Sequence, residues 1–254
     1  MGNTAGHSLK AATLVWFFYA VTTVLLAILT SWALYSQVNY GYAFWYKQLD
    51  IQQHIDHYGP QNRFKQGFEQ LPPEQHIEAF EQIRNAVHEH GEGLSNLQYS
   101  LPSGQKVLLL HRAEVVHLED VANLIDAGRL LFVVLVLLWL PLAWCCLSLG
   151  LPGWRERLLI TVIGVVGVLA WLAVAGPTEV FYQFHVWLFP ADHQWFFYWQ
   201  DSLMSTLMKA PALFGGIALA IALGALLLLP AFYFAGWGLA SRLTPTRNRK
   251  PHLS

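Results

Sequence analysis

Long apolar stretches alternate with polar segments along the chain. The apolar stretches run from Ala11 to Tyr35, from Leu130 to Gly150, from Leu158 to Ala175, and within Ala210 to Ala240. About 20 helical residues cross a hydrocarbon core of about 30 Å, because each residue advances the helix by about 1.5 Å. The pattern therefore predicts four transmembrane helices. The first stretch is too long for a signal peptide and lacks a small-x-small cleavage site, so we interpret it as an uncleaved anchor.

Basic residues mark one side of the predicted spans. Lys10 precedes the first span, and Arg155 and Arg157 occupy the short turn between the second and third spans. The basic residues after the fourth span are Arg242, Arg247, Arg249 and Lys250. Cytoplasmic loops are enriched in Lys and Arg, so we expect both termini and the short turn in the cytoplasm. The two remaining loops then face the extracytoplasmic side.

These boundaries predict an all-α membrane protein with four transmembrane helices. Its extracytoplasmic domain is expected to be mainly helical, at about residues 37–127, and its second outer loop to be aromatic and interfacial. The expected regions are an N-terminal tail with the first transmembrane helix (1–35), an extracytoplasmic domain (36–128), the second helix, a short cytoplasmic turn and the third helix (129–175), an aromatic extracytoplasmic or interfacial loop (176–209), the fourth helix (210–241) and a basic cytoplasmic tail (242–254).

Periodic apolar positions predict helices within the first outer segment. The sequence Leu71-Pro72-Pro73-Glu74 is typical of a helix start, since proline and an acidic residue suit the first turn. Apolar residues then recur every three or four positions, which indicates one buried face. These residues are Ile77, Phe80, Ile83 and Val87. A β-capable run at 107–110 follows, and a second helix is predicted from about Ala113 toward the second span.

The second outer segment is unusually aromatic. Between Phe181 and Trp199, ten of nineteen residues are Phe, Tyr or Trp, so we do not expect this segment to stand free in water. Tryptophan and tyrosine favour the headgroup level of a bilayer, and we expect the segment to lie in the outer interface. It is either a structural aromatic belt or a lid or wall over a lipid-facing pocket.

Composition narrows the class of protein. Hydrophobic residues make up 55% of the 254 residues and charged residues 12%, against about 25% charged in soluble domains. This excludes a disordered chain, a coiled coil and an ordinary cytosolic enzyme. The net charge is −1 and no basic block precedes the last dozen residues, so nucleic acid is not an expected partner. The adjacent Cys145 and Cys146 form neither a spaced zinc motif nor a disulfide framework.

Most of the eleven histidines need no function, and no familiar catalytic motif is present. His88 and His90 are two residues apart, which points them to different helix faces and disfavours shared metal ligation. The sequence has no HExxH on a helix, no GxSxG elbow, no P-loop and no dinucleotide fingerprint.

Two histidines have distinctive surroundings. On a helix, Glu114 and Asp120 lie one turn either side of His117, so the three share a face. A carboxylate beside a histidine can fix its tautomer, although a solvated charged face gives the same pattern. His185 lies among aromatic residues just after the third span, where a polar ring is costly unless it is paired or used. Both histidines are expected on the outer side, where they could meet.

These motifs resemble those of the lipoprotein intramolecular transacylases, the Lit family of four-span bacterial integral membrane proteins. The residues that carry the resemblance are Glu114, His117, Asp120 and Val121, then Phe184, His185, Phe189, Asp192 and Trp195, then Asp201, Leu203, Pro211 and Phe214. The resemblance covers most of the chain, but little of the first loop before Glu114 matches. Near Pro211 the family often has an acidic residue, and this chain has Lys209.

The resemblance implies an O-to-N acyl transfer within one substrate molecule. The sn-2 acyl chain of a diacylglyceryl lipoprotein would move to the α-amino group of its N-terminal cysteine, at the outer face of the cytoplasmic membrane. The resemblance assigns catalysis to His117 and His185, orientation to Glu114 and Asp120, and the substrate-binding wall to Phe184, Phe189, Asp192 and Trp195. It implies no metal or cofactor, and its partners are the lipoprotein and membrane lipid.

Other functions stay open at the level of sequence. A non-catalytic scaffold or accessory protein of the same family would keep the fold and the aromatic loop. Another lipid-directed acyl hydrolase or acyltransferase would carry the same outward histidines and would be identified by released fatty acid. A small transporter is disfavoured, because the four spans contain no ionisable residue for a midplane path.

Overall fold

The computed structural model describes residues 2–243, and most of them are helical. The helices are α1 (Gly2–Gln37), α2 (Tyr42–Gln48), α3 (Ile51–Tyr58), α4 (Pro73–His88), α5 (Arg112–Leu149), α6 (Trp154–Ala175), α7 (Pro177–Leu188), α8 (Leu203–Leu207) and α9 (Ala212–Leu243). Two short strands, β1 (Gln98–Ser100) and β2 (Lys106–Leu108), form an antiparallel pair. Arg247, Arg249 and Lys250 of the expected basic tail lie outside the described residues.

The prediction of an all-α protein with four membrane-spanning helices is confirmed. Four of the described helices, α1, α5, α6 and α9, are long and apolar enough to cross a membrane. At 38 residues, α5 is longer than a bilayer requires. Its charged residues all lie in its first half: Arg112, Glu114, Glu119, Asp120, Asp126 and Arg129. The apolar part from Leu130 to Leu149 is therefore the span, and residues 112–129 form a polar extension outside it.

The chain separates into two compact units. The first contains the described residues up to Ser31, together with 131–167 and those from Leu223 onward. Its core is built on large aromatic side chains, and the Tyr19 hydroxyl donates to the Tyr233 carbonyl at 2.6 Å. This unit is built from segments of the four long helices, which agrees with the four apolar stretches of the sequence.

The second unit comprises residues 32–130 and 168–222. Its core brings together the short helices, where the rings of Tyr42 and Phe80 stack at 4.0 Å between centroids. His76 is fully buried there, and its two ring nitrogens bond to the Tyr46 hydroxyl at 2.7 Å and the Phe68 carbonyl at 2.9 Å. This histidine is a satisfied part of the core.

Several elements of the second unit agree with the sequence pattern, and two differ from it. Helix α4 begins at Pro73 and α5 begins at Arg112, close to the predicted starts. The β-capable run became β2, which pairs with β1, a strand the pattern did not predict. The aromatic segment, predicted as a loop, contains helices α7 and α8. Pro177 supplies a favourable first helical position for α7, a local signal that the aromatic composition obscured.

Candidate active site

His117 lies on the polar extension of α5 and is almost completely buried, with 8% of its surface exposed. Aromatic rings enclose it: the centroid of Phe189 lies 5.0 Å from the imidazole and that of Phe197 lies 6.0 Å away. Nδ1 of His117 is shielded from solvent and has no hydrogen-bond partner among the described residues. A buried nitrogen without a partner is rare enough in folded proteins to suggest a functional use.

His185 comes from α7, which starts after Gly176, a residue with the positive φ of 80° that glycine adopts readily. The side chain is 7% exposed, and its Nδ1 lies 2.7 Å from the Phe181 carbonyl oxygen one turn earlier. A carbonyl oxygen only accepts hydrogen bonds, so Nδ1 carries the proton. The lone pair of His185 is therefore on Nε2, where it is available to accept a proton.

The structure brings these two histidines together. Their ring centroids are 6.0 Å apart and their planes differ by 27°. Burial lowers the pKa of His117 to about 4, and the neighbouring His185 acts in the same direction while Asp120 opposes it. Burial also lowers the pKa of His185, against the effect of its bond to the Phe181 carbonyl. Both imidazoles are therefore neutral at pH 7.

The two carboxylates predicted to orient His117 form hydrogen bonds elsewhere. Glu114 is fully buried and accepts from the Ser202 hydroxyl at 2.5 Å and from the His111 backbone N–H at 2.8 Å. Asp120 lies 2.7 Å from Nδ1 of His193. Neither carboxylate bonds to His117 in the described part of the chain, although Asp120 is close enough to affect its pKa. Their contacts fasten the 189–202 segment to α5.

Aromatic side chains surround the histidine pair. Phe189 is buried and lies 5.1 Å from His185, and Trp195 lies 4.9 Å from the same imidazole. Phe184 is 44% exposed and packs edge-on against His185 at 5.6 Å. Asp192 is exposed at the turn between Phe189 and Trp195. The predicted substrate-binding wall is thus mainly apolar, and the carboxylate of Asp192 is exposed to solvent.

Sequence reasoning missed His193, Ser202 and Phe197. The hydrogen bond to Asp120 raises the pKa of His193, so the charged form of this partly buried pair is favoured. Ser202 also caps α8, where its hydroxyl accepts from the Met204 backbone N–H at 2.9 Å. An N-cap serine before a helix start is a recognisable local signal, but its bond to Glu114 is not.

Lys209, two residues before Pro211, makes a structural contact. Its Nζ donates to the Leu49 carbonyl oxygen at 2.5 Å. Within residues 2–243, no group of three or more His, Cys, Asp or Glu side chains is arranged to hold a metal ion. The histidine pair supplies two neutral imidazoles in an apolar enclosure.

Comparison with known proteins gives two matches. The family model described as lipoprotein intramolecular transacylase Lit matches residues 13–210. Among solved structures, the chain is similar to the membrane integral lipoprotein intramolecular transacylase Lit from Bacillus cereus, solved in meso with one histidine replaced by arginine. That match has 18% identity and a TM-score of 0.56, and it covers 94% of this chain and 95% of the other. No curated protein sequence matches the chain.

Proposed function

Because the chain belongs to the Lit family of lipoprotein intramolecular transacylases, we propose that it moves the sn-2 acyl chain of a diacylglyceryl lipoprotein to the α-amino group of that lipoprotein's N-terminal cysteine. The product is an N-acyl lyso-lipoprotein. Ester and amine belong to one molecule, and they react through a ring of about eight atoms. Because this ring forms only in a folded substrate, holding the substrate in that conformation is itself catalytic.

The observation that carries this proposal is the pair of buried, neutral histidines. A general base must be unprotonated before it can accept a proton, and burial keeps both imidazoles in that form at pH 7. The hydrogen bond from Nδ1 of His185 to the Phe181 carbonyl directs its basic Nε2 away from the backbone of α7. We therefore assign the base to His185.

The reaction then proceeds in two steps. The amine nitrogen attacks the ester carbonyl carbon while Nε2 of His185 takes the proton that the amine loses. The tetrahedral intermediate collapses as the bond from this carbon to the glycerol oxygen breaks, and the departing oxygen receives the proton from the His185 imidazolium. An amide replaces an ester, the histidine is regenerated, and no water is consumed.

His117 is assigned to the oxyanion of the intermediate. Since its Nδ1 is shielded and unpaired, we place the proton on Nε2, because an unmet lone pair is less costly than an unmet N–H. A neutral Nε2–H donor in an apolar enclosure stabilises charge that develops on the former carbonyl oxygen. Glu114 and Asp120 support this arrangement by fixing the aromatic segment rather than by holding the His117 ring.

The aromatic wall suits the acyl chain. Phe184, Phe189 and Trp195 offer apolar contact beside His185. Asp192 would border the polar part of the substrate, since it is exposed to solvent. The basic residues near the spans, including Arg155 and Arg157, support cytoplasmic termini and an extracytoplasmic active site in the inner membrane.

The proposal is tested by expressing the chain in a host whose lipoproteins stop at the diacylglyceryl form. Mass spectrometry of one abundant lipoprotein should show an acylated cysteine amine with the total acyl mass unchanged. The His117→Ala and His185→Ala variants should each lose this product by about 10³-fold. His57→Gln, an exposed histidine of α3, is the matched control and should behave as wild type.

Two outcomes would contradict the proposal. Loss of one acyl mass with release of free fatty acid would identify a hydrolase. Unchanged N-acylation by a folded His117→Ala, His185→Ala double variant would show that the histidine pair is not the site.

A further inference from the structure

A cavity of about 620 Å³ lies in the second unit beside the polar extension of α5. One wall is a face of that helix, with Arg112, Val116 and Glu119. Lys65 also lines the cavity, as does Leu108, the last residue of β2. The lining mixes apolar side chains with charged ones, in contrast to the aromatic wall around His185.

Strand β2 reaches this cavity at its last residue, Leu108, which is one of the lining residues. In the antiparallel pair, Tyr99 lies opposite Val107, and the flanking backbone bonds run from Leu109 to Leu97 and from Leu101 to Gln105. Antiparallel strands alternate bonded and non-bonded pairs, so the backbone groups of residues 106 and 108 point away from β1. Both residues are exposed, and β2 has no second neighbouring strand within residues 2–243.

Lys65 confirms the direction of that edge. Its buried side chain donates from Nζ to the Leu108 carbonyl oxygen at 2.6 Å, and the same residue lines the cavity. Three backbone groups of the edge have no partner in the described part of the chain: the N–H and carbonyl of Lys106 and the N–H of Leu108. An edge of this kind can pair with an extended peptide.

Adjacent rings connect the cavity to the histidine pair. Phe64 and His111, which both line the cavity, lie 4.8 Å apart. The His111 ring is 6.0 Å from that of Phe197, which in turn is 6.0 Å from His117. These ring contacts place the cavity next to the aromatic enclosure of His117.

We propose that the cavity binds the polypeptide that follows the substrate's acylated cysteine, in extended form, as an added strand on the edge of β2 that faces away from β1. This inference rests on the proposed function. A lipoprotein substrate carries a peptide whose N–H and carbonyl groups need partners, and an edge strand satisfies them without reading side chains. The enclosure around His185 would take the acyl chain instead.

The charges of the cavity favour a peptide over an acyl chain. A buried ammonium such as that of Lys65 is costly beside hydrocarbon but suits a region rich in carbonyl oxygens. Arg112 is exposed and has no hydrogen-bond or ion-pair partner in the described residues, so its guanidinium is free to donate to such oxygens. Val115 and Val116 supply apolar contact that tolerates varied side chains.

The test compares two synthetic substrates with the purified full-length protein in detergent. One is diacylglyceryl-cysteine amide, and the other is a diacylglyceryl-cysteine peptide extended by six residues. Leu108→Pro removes the edge N–H but none of the bonds that pair β2 with β1, and proline is tolerated on an edge strand. Leu108→Ala is the matched control, because it removes the same side chain and keeps the N–H.

The wild-type protein and Leu108→Ala should both prefer the extended substrate by about tenfold in kcat/KM. Leu108→Pro should abolish this preference while turnover of the cysteine amide stays unchanged. A second measurement needs no variant: peptides N-methylated at single, successive backbone positions should lose the preference at alternate positions only, as a strand ladder requires.

The possible failures are distinguishable. If neither substrate is N-acylated, the proposed function fails. If both are N-acylated equally well by the wild type, or if Leu108→Pro lowers both rates alike, the peptide site is overturned while the transacylase function stands. A decline that is equal at every N-methylated position would likewise overturn strand pairing.

Discussion

The two compact units use their polar side chains differently. In the first unit, most hydroxyls bond within their own helix, as when Thr23 donates to the Tyr19 carbonyl at 2.7 Å and Thr161 to the Arg157 carbonyl at 2.9 Å. In the second, polar side chains bond across long stretches of chain. Glu114 bonds to Ser202 and His111 to the Asp201 carbonyl, at 2.5 and 2.7 Å.

The difference follows from the surroundings of each unit. A helix in lipid satisfies its polar groups locally, because the hydrocarbon offers no partners. The second unit brings remote segments together through buried bonds, and this allows it to place His117 beside His185. Apolar packing thus dominates the first unit, whereas specific polar contacts build the site in the second.

The largest effect on stability is expected at Glu114. Glu114→Ala leaves the Ser202 hydroxyl and the His111 N–H without their buried acceptor, and should lower the free energy of unfolding by about 3 kcal/mol. Chemical denaturation in detergent measures this. Glu119→Ala, an exposed position on the same helix, is the control and should change stability by less than about 0.5 kcal/mol. Equal losses of stability in the two variants would show that the buried contacts of Glu114 do not stabilise the fold.

Gly236 tests the packing of the first unit. A Cβ at this position would lie 2.6 Å from the Tyr19 hydroxyl oxygen and 2.8 Å from the Trp139 ring. Gly236→Ala should therefore destabilise the protein by about 2 kcal/mol through overpacking. Gly238→Ala, where the added Cβ meets open space, should leave the unfolding midpoint unchanged or raise it. A midpoint shift shared by both variants would contradict the packing argument.

The pH profile of acyl transfer tests the buried histidines. Since burial lowers the pKa of His117 to about 4 and also lowers that of His185, the base stays unprotonated below its ordinary value of about 6.5. After correction for the fraction of free substrate amine, the acid limb of the rate should lie below pH 6.5, and the rate should fall there by up to tenfold per pH unit.

Phe189→Ala provides the comparison for that profile. It removes a ring that packs against both histidines and admits water, so the acid limb should move up toward pH 6.5. An acid limb that stays in place would indicate that burial by this wall does not set the histidine pKa values.

The smallest effect is expected for the partly buried His193–Asp120 pair. The pKa of His193 is raised in the folded protein. The stabilisation from the charged pair is therefore fully present below the ordinary pKa of histidine, and it is lost as the pH rises through the raised pKa. His193→Gln should slow acyl transfer by about threefold at pH 6 and hardly at all at pH 9. His90→Gln, which removes a similar pair with Asp126, should leave the rate unchanged at both values. A pH-independent ratio would exclude this role.

The sequence predicted the long helices because apolar runs and periodic positions are local signals. The four spans and the starts of α4 and α5 could be predicted for this reason. The resemblance that led to the Lit family is confirmed by the family match, whereas the roles of His117 and His185 stay predictions.

The contacts around the site could not be predicted from the sequence. The helical spacing correctly indicates that Glu114, His117 and Asp120 are near one another, but Ser202 and His193 lie 88 and 73 residues away from their carboxylate partners. No local pattern encodes such pairs. Strand β1 was missed because three residues are too few to show a period of two.

The bond between Glu114 and Ser202 also has a consequence for biosynthesis. Ribosomes add about 5–20 residues per second, so Ser202 emerges on the order of ten seconds after Glu114. Throughout that interval the nascent chain holds a carboxylate destined for burial without its partner. The site is thus assembled late, because His185 follows the third apolar segment and Ser202 comes after His185.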